Sequence, residues 1–113
     1  EDIEDWEEIP ADMAKKGEFV ALRVKGDSML PDIKDGEVAI IRRQESIENG
    51  QIAAVIVNGD DATIKKVRLL PDGIMLIGLN TEVYEPHFYS KQEISDLPVR
   101  IYGKLVEVRR KFY

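Results

Sequence analysis

Residues 51–70 read QIAAVIVNGDDATIKKVRLL. After Gln51 the first segment is apolar at odd and even positions alike, the pattern of a strand covered on both faces. Asn58-Gly59-Asp60-Asp61 carries the chemistry of a hairpin turn, with residues that tolerate positive φ. Residues 62–70 then read as the partner strand. A buried hairpin at the centre of the chain points to a β-sheet protein.

Working outward, FVALRV (19–24) has Val20, Leu22 and Val24 on one parity and reads as a strand. EVAIIRR (37–43) reads as another, and IMLIGL (74–79) as a third, entered through the turn Pro71-Asp72-Gly73. Residues 29–36 and 45–50 read as turn-rich connections. A short helical turn is expected at Pro10–Lys15, and residues 80–96 are expected to form a long loop with one short strand at most. The last segment, LPVRIYGKLVEVRR (97–110), reads as strand throughout. Its apolar parity changes at Gly103, with Val99 and Ile101 on one side and Val106 and Val108 on the other, so a bulge or bend is expected there. The count comes to about seven or eight strands with little helix. The expected fold class is therefore all-β, a small barrel or sandwich.

The chain has 113 residues, enough for one domain with one core, and 43% of them are apolar. With no cysteine there is no disulfide, no thiolate metal site and no cysteine nucleophile. That composition fits a reducing compartment, and a cytoplasmic location is expected. Neither a metal nor a cofactor is expected. The longest apolar run, IAAVIV (52–57), is far shorter than the roughly 20 residues that span a bilayer, and no leader or membrane anchor is expected.

Charge is unevenly placed. Net charge is −6, and EDIEDWEE (1–8) contains six acids and no base, which leaves the remainder balanced. The head reads as a solvated acidic tail or linker (1–8), followed by one domain (9–113). Such a balance lacks the basic face of a nucleic-acid-binding domain.

Gly26-Asp27-Ser28-Met29 leaves the 19–24 strand and presents a serine in a turn. A serine hydroxyl is a weak nucleophile until a base removes its proton. The single histidine, His87, reads as a loop residue beside Pro86. The stretch also resembles the Gly-Asp-Ser-Leu esterases, which need an Asp three residues before a histidine. Tyr84 stands at that position, so the resemblance fails at the base.

A lysine is the other solution, provided it is neutral. Its reference pKa is about 10.4, and deep burial can lower it by up to about 3–5 pH units. Lys65 and Lys66 are adjacent on a predicted strand and leave opposite faces. Lys66 shares its face with Arg68, which keeps its charge and favours a wet face. Lys65 lies with Thr63, Val67 and Leu69, and parity selects it. The plainer readings stay open: most turn serines bond local backbone, and most strand lysines are solvated.

FVALRVKGDSMLPDIKDGEVAIIRRQESIENGQIAAVIV, together with ATIKKV, resembles the C-terminal domain of LexA-type repressors, the self-cleaving Ser–Lys family that includes phage repressors and UmuD. The likeness covers residues 9–110. It rests on an ordered set: G-x-S-M at Gly26–Met29, D-G at Asp35–Gly36, N-G-Q at Asn49–Gln51, T-I-K at Thr63–Lys65 and a mid-strand glycine at Gly103. The resemblance implies that Ser28 is the nucleophile and Lys65 the general base, with the backbone N–H groups of Asp27 and Ser28 facing the oxyanion. It implies a homodimer through the C-terminal strand, with Ile101, Gly103, Val106 and Val108 at the interface. It also implies a RecA filament as co-protease, and operator DNA bound only through a separate N-terminal domain. Family members cut at Ala-Gly or Cys-Gly, and neither dipeptide occurs in these 113 residues. Either the cut site lies upstream of Glu1 or this member does not cleave, and a non-cleaving dimerisation module is one alternative; a UmuD-like polymerase accessory subunit is another, to be decided by the neighbouring domain.

Overall fold

The computed structural model describes residues 3–59 and 61–110. It contains eight strands in one antiparallel sheet: β1 (Asp5–Glu7), β2 (Phe19–Arg23), β3 (Val38–Arg43), β4 (Ile52–Val57), β5 (Ala62–Leu70), β6 (Gly73–Ile77), β7 (His87–Ser90) and β8 (Val99–Arg109). Two short helices, α1 (Ala11–Ala14) and α2 (Lys91–Asp96), complete it. Strand order is β1-β2-β3-β8-β4-β5-β6-β7. The all-β expectation holds. Among the described residues no helix is long and apolar enough to cross a membrane.

The two-sided apolar pattern of β4 has a direct cause. Ala54 and Ile56 join a core with Leu22, Met29, Ile41, Ala62 and Ile64. Ala53 and Val55 face the other way, into a second core with Val67, Leu76, Tyr89 and Val99. A third cluster seats Met13 of α1 on Ala21, Val38 and Ile40. Both faces of the central strands are thus dry, which is why alternation is absent there. Of the expected turn at Asn58–Asp61, Asp60 lies outside the described residues.

Two expectations differ from the structure. First, residues 4–7 of the acidic head are part of the fold. β1 pairs antiparallel with β2, Trp6 opposite Leu22, and Glu4 is buried. Trp6 packs edge-on against Tyr102, ring centroids 5.3 Å apart, and Arg23 pairs with Glu7 at 2.8 Å. One aromatic anchor and a few cross-strand ion pairs offset the unfavourable acidic composition; residues 1–2 lie outside the described set. Second, the 80–96 loop contains α2. Its N-cap Ser90 accepts a hydrogen bond from Glu93 N, and the Glu93 side chain accepts one from Ser90 N, a complete capping box.

β8 lies inside the sheet, between β3 and β4. Residues 99–104 pair with β4 and residues 103–109 with β3, so the strand changes neighbours around Gly103. The parity change expected at Gly103 is produced by two bulges flanking it. Tyr102 is skipped in the β4 register and Val106 in the β3 register. Gly103 itself is required by close approach. A Cβ there would lie 2.2 Å from Arg42 O and 2.6 Å from Ile41 Cγ2.

Candidate active site

Lys65 sits in mid-β5, opposite Ala53 of β4, and is fully buried at 0% exposure. It shares its face with Thr63 and Val67, both buried, as parity requires. Its Nζ donates to Thr63 Oγ1 at 2.7 Å and lies 4.7 Å from the centre of the Tyr84 ring. Lys66, on the other parity, is half-exposed, and Arg68 beside it is exposed. Burial works against the ammonium form of Lys65; the ring and the hydroxyl work for it. An amine without bulk water around it is the physical requirement for a lysine base.

Ser28 is buried at the turn after β2. The turn is anchored at several points. Gly26 N donates to Asp35 Oδ1 at 2.8 Å. Asn80 N donates to Ser28 O at 2.9 Å, and Asn80 Nδ2 donates to Asp27 O at 3.1 Å. The two Asn80 bonds use carbonyl oxygens, so they do not occupy the Asp27 and Ser28 amides. Met29 continues into the first core, a packing role that fixes where the preceding serine sits.

The segment after β6 reaches both groups. A Cβ on Gly78 would lie 2.9 Å from Ser28 O and 2.8 Å from Tyr84 Cβ. Tyr84 N donates to Asn80 O at 3.2 Å, closing a turn whose first residue anchors Ser28. Residues 78–84 therefore contact the serine turn through Gly78 and Asn80 and cover the lysine through Tyr84. Sequence reasoning missed this segment. In the sequence Tyr84 stands out only as the wrong residue for a histidine-based triad. His87 is exposed on β7, its ring 4.3 Å from that of Tyr89. Among the described residues, no group of three or more His, Asp or Glu side chains is placed to hold a metal ion.

The four residues expected at a dimer interface fall in different environments. Ile101 packs against the second core and Val108 against the first. Gly103 is buried between β3 and β4, opposite Arg43 and Ala54. Val106 alone of the four is largely exposed, at 41%.

A family model described as Peptidase S24-like matches residues 1–106. The chain belongs to the Peptidase S24-like family. Three LexA repressors are similar to this S24-like domain. That of Gluconobacter oxydans (strain 621H) is 36% identical over 113 residues, covering 99% of this chain and 45% of the repressor. That of Rhodospirillum rubrum is 34% identical over 110 residues, covering 93% and 40%. That of Pseudothermotoga lettingae is 36% identical over 105 residues, covering 91% and 50%. The S24-like domain spans half or less of the length of these repressors. It is LexA-like in sequence along nearly its whole length.

Proposed function

We propose that this chain is the C-terminal dimerisation and self-cleavage domain of a LexA-like transcriptional repressor, with Ser28 as nucleophile and Lys65 as general base. The observation that carries the reading is the complete burial of Lys65, in a chain of the Peptidase S24-like family whose sequence resembles the self-cleaving Ser–Lys repressors. The neutral amine takes the Ser28 hydroxyl proton, and Oγ attacks the carbonyl carbon of a peptide bond in the same polypeptide. The Asp27 and Ser28 amides stabilise the oxyanion, and donors of that kind are each worth about 10²–10³ in rate. The Lys65 ammonium then protonates the leaving amine, the peptide bond breaks, and water hydrolyses the ester with Lys65 again as base. Tethering of substrate to site makes a slow catalyst sufficient.

Dimerisation is the second role. Among the described residues, Leu105–Arg109 pairs only on its β3 side, leaving an open stretch of strand edge that includes exposed Val106. Such an edge is a pairing template for a second copy of the chain. Two linked DNA-binding domains would then gain avidity through effective concentration.

The test is incubation of the full-length polypeptide at alkaline pH, with and without RecA filament. Cleavage into two fragments, abolished by Ser28→Ala and by Lys65→Ala, is expected. Equal cleavage by either variant would remove the dyad. The alternative reading is a dimerisation module that regulates without cleavage. An intact full-length polypeptide under every condition would select it.

A further inference from the structure

The first half of β5 has an exposed flank. β4 covers one side from Ala62 to Lys66, whereas β6 begins its pairing on the other side only at Lys66. Glu4 fills the gap. Its backbone N donates to Ala62 O at 2.9 Å, and its Oε2 accepts from Ile64 N at 2.8 Å. The residue thus acts as one rung of a missing strand, with a carboxylate oxygen in place of a carbonyl. Its other oxygen, Oε1, accepts from Lys25 N in a longer contact of 3.4 Å. The next residue reinforces that end, since Asp5 Oδ2 pairs with Lys25 Nζ at 3.0 Å. Glu4 is 4% exposed, so these bonds form largely out of water, where charge-assisted contacts are strongest.

Ile64 precedes Lys65, and Lys25 opens the turn that leads to Ser28. We propose that Glu4 is a positioning residue for the Ser28–Lys65 site, its one buried carboxylate tying the lysine's strand to the serine's turn. The inference rests on the dyad reading for its functional half; the mechanical half, a link between two segments, stands on the hydrogen bonds. A group that bridges both elements sets their separation, and a displacement of about 1 Å can cost about 10²-fold in rate.

The variants follow from the chemistry. Glu4→Ala removes the side-chain bonds to Ile64 N and Lys25 N. Glu4→Gln keeps one oxygen and turns an NH₂ toward the other amide, so one bond is lost and one survives. Met13→Ala, in the third core, provides a destabilised control that touches neither element. Amide hydrogen exchange on the 113-residue chain is expected to accelerate at Ile64 and at Lys25 together in Glu4→Ala, at one of the two in Glu4→Gln, and at neither in Met13→Ala. In the full-length polypeptide, well below the unfolding midpoint, self-cleavage is expected to fall about tenfold in Glu4→Gln and about a hundredfold in Glu4→Ala, with Met13→Ala unchanged. Unchanged exchange at either amide in Glu4→Ala overturns the link. Faster exchange with undiminished cleavage overturns the positioning role. If the unaltered polypeptide does not cleave at all, the dyad reading fails, and with it the positioning role, while the exchange measurement still decides the link.

Discussion

Lys65 and Thr63 lie two residues apart on β5, point to the same face, and are joined by a 2.7 Å hydrogen bond from the lysine Nζ to the threonine Oγ1. A polar pair of this kind inside a sheet costs stability. Conformational freedom of a long side chain is lost, and the charged form loses its hydration. The proposed role of Lys65 as general base gives that cost a function.

Tyr84 covers that amine with its ring. The ring has two opposed effects. It excludes water, which disfavours the ammonium, and its face attracts a cation by about 0.5–2 kcal/mol. Full burial, which disfavours the charged form, acts more strongly than that attraction. Loss of shielding should therefore win. Tyr84→Ala is expected to move the pH dependence of self-cleavage to higher pH and to slow it about tenfold at neutral pH. A rate profile across pH checks this.

Lys65→Met tests the stability cost. Methionine has similar reach, no charge and good tolerance of irregular cores. The variant is expected to fold, to be inactive, and to gain about 1 kcal/mol, a rise in Tm of about 4–8 °C. Thermal unfolding of the two chains side by side reads it.

Gly103→Ala should be severe for a different reason. The added methyl meets Arg42 O at 2.2 Å, and a backbone carbonyl cannot rotate away. Separation of β3 from β8 is expected to cost about 3 kcal/mol, a fall in Tm of at least about 12 °C. Denaturant unfolding with an unchanged m-value would confirm a loss of packing rather than of compactness.

Glu37 supplies a pH-dependent anchor. Its carboxylate accepts from Lys34 N at 2.6 Å and from Arg110 Nε at 3.1 Å. The Lys34 amide, and after it Arg110, hold its pKa below the ordinary glutamate value. A folded pKa below the unfolded one gives stability that is fully present above the unfolded value of about 4.3 and is lost as pH falls through the folded value. Glu37→Gln is expected to cost about 1–2 kcal/mol at pH 7, with the difference from the unaltered chain disappearing in acid. Unfolding midpoints measured across that range give the comparison.

Much of this was legible from side-chain parity. The β4–β5 hairpin, β3 and β6 follow from apolar spacing, and parity alone separates buried Lys65 from half-exposed Lys66. The parity change in β8 signalled its bulges. What escaped was of two kinds. The α2 start was encoded locally, since Ser90 and Glu93 have capping-box spacing, but its polar surroundings resembled a loop. The roles of Glu4, Asn80 and Tyr84 were not encoded locally at all. Glu4 bonds a residue 60 positions away, and only the folded sheet brings them together. A seam between the two halves of β8 was equally invisible, because a strand's choice of neighbours depends on the whole sheet.

The account turns on whether Lys65 activates Ser28, and a serine-directed phosphonofluoridate reads that directly on the 113-residue chain. Mass spectrometry after exposure is expected to find a single adduct on Ser28, forming faster as pH rises and absent from Lys65→Met. No adduct at Ser28, or labelling of Lys65→Met as fast as that of the unaltered chain, would contradict it.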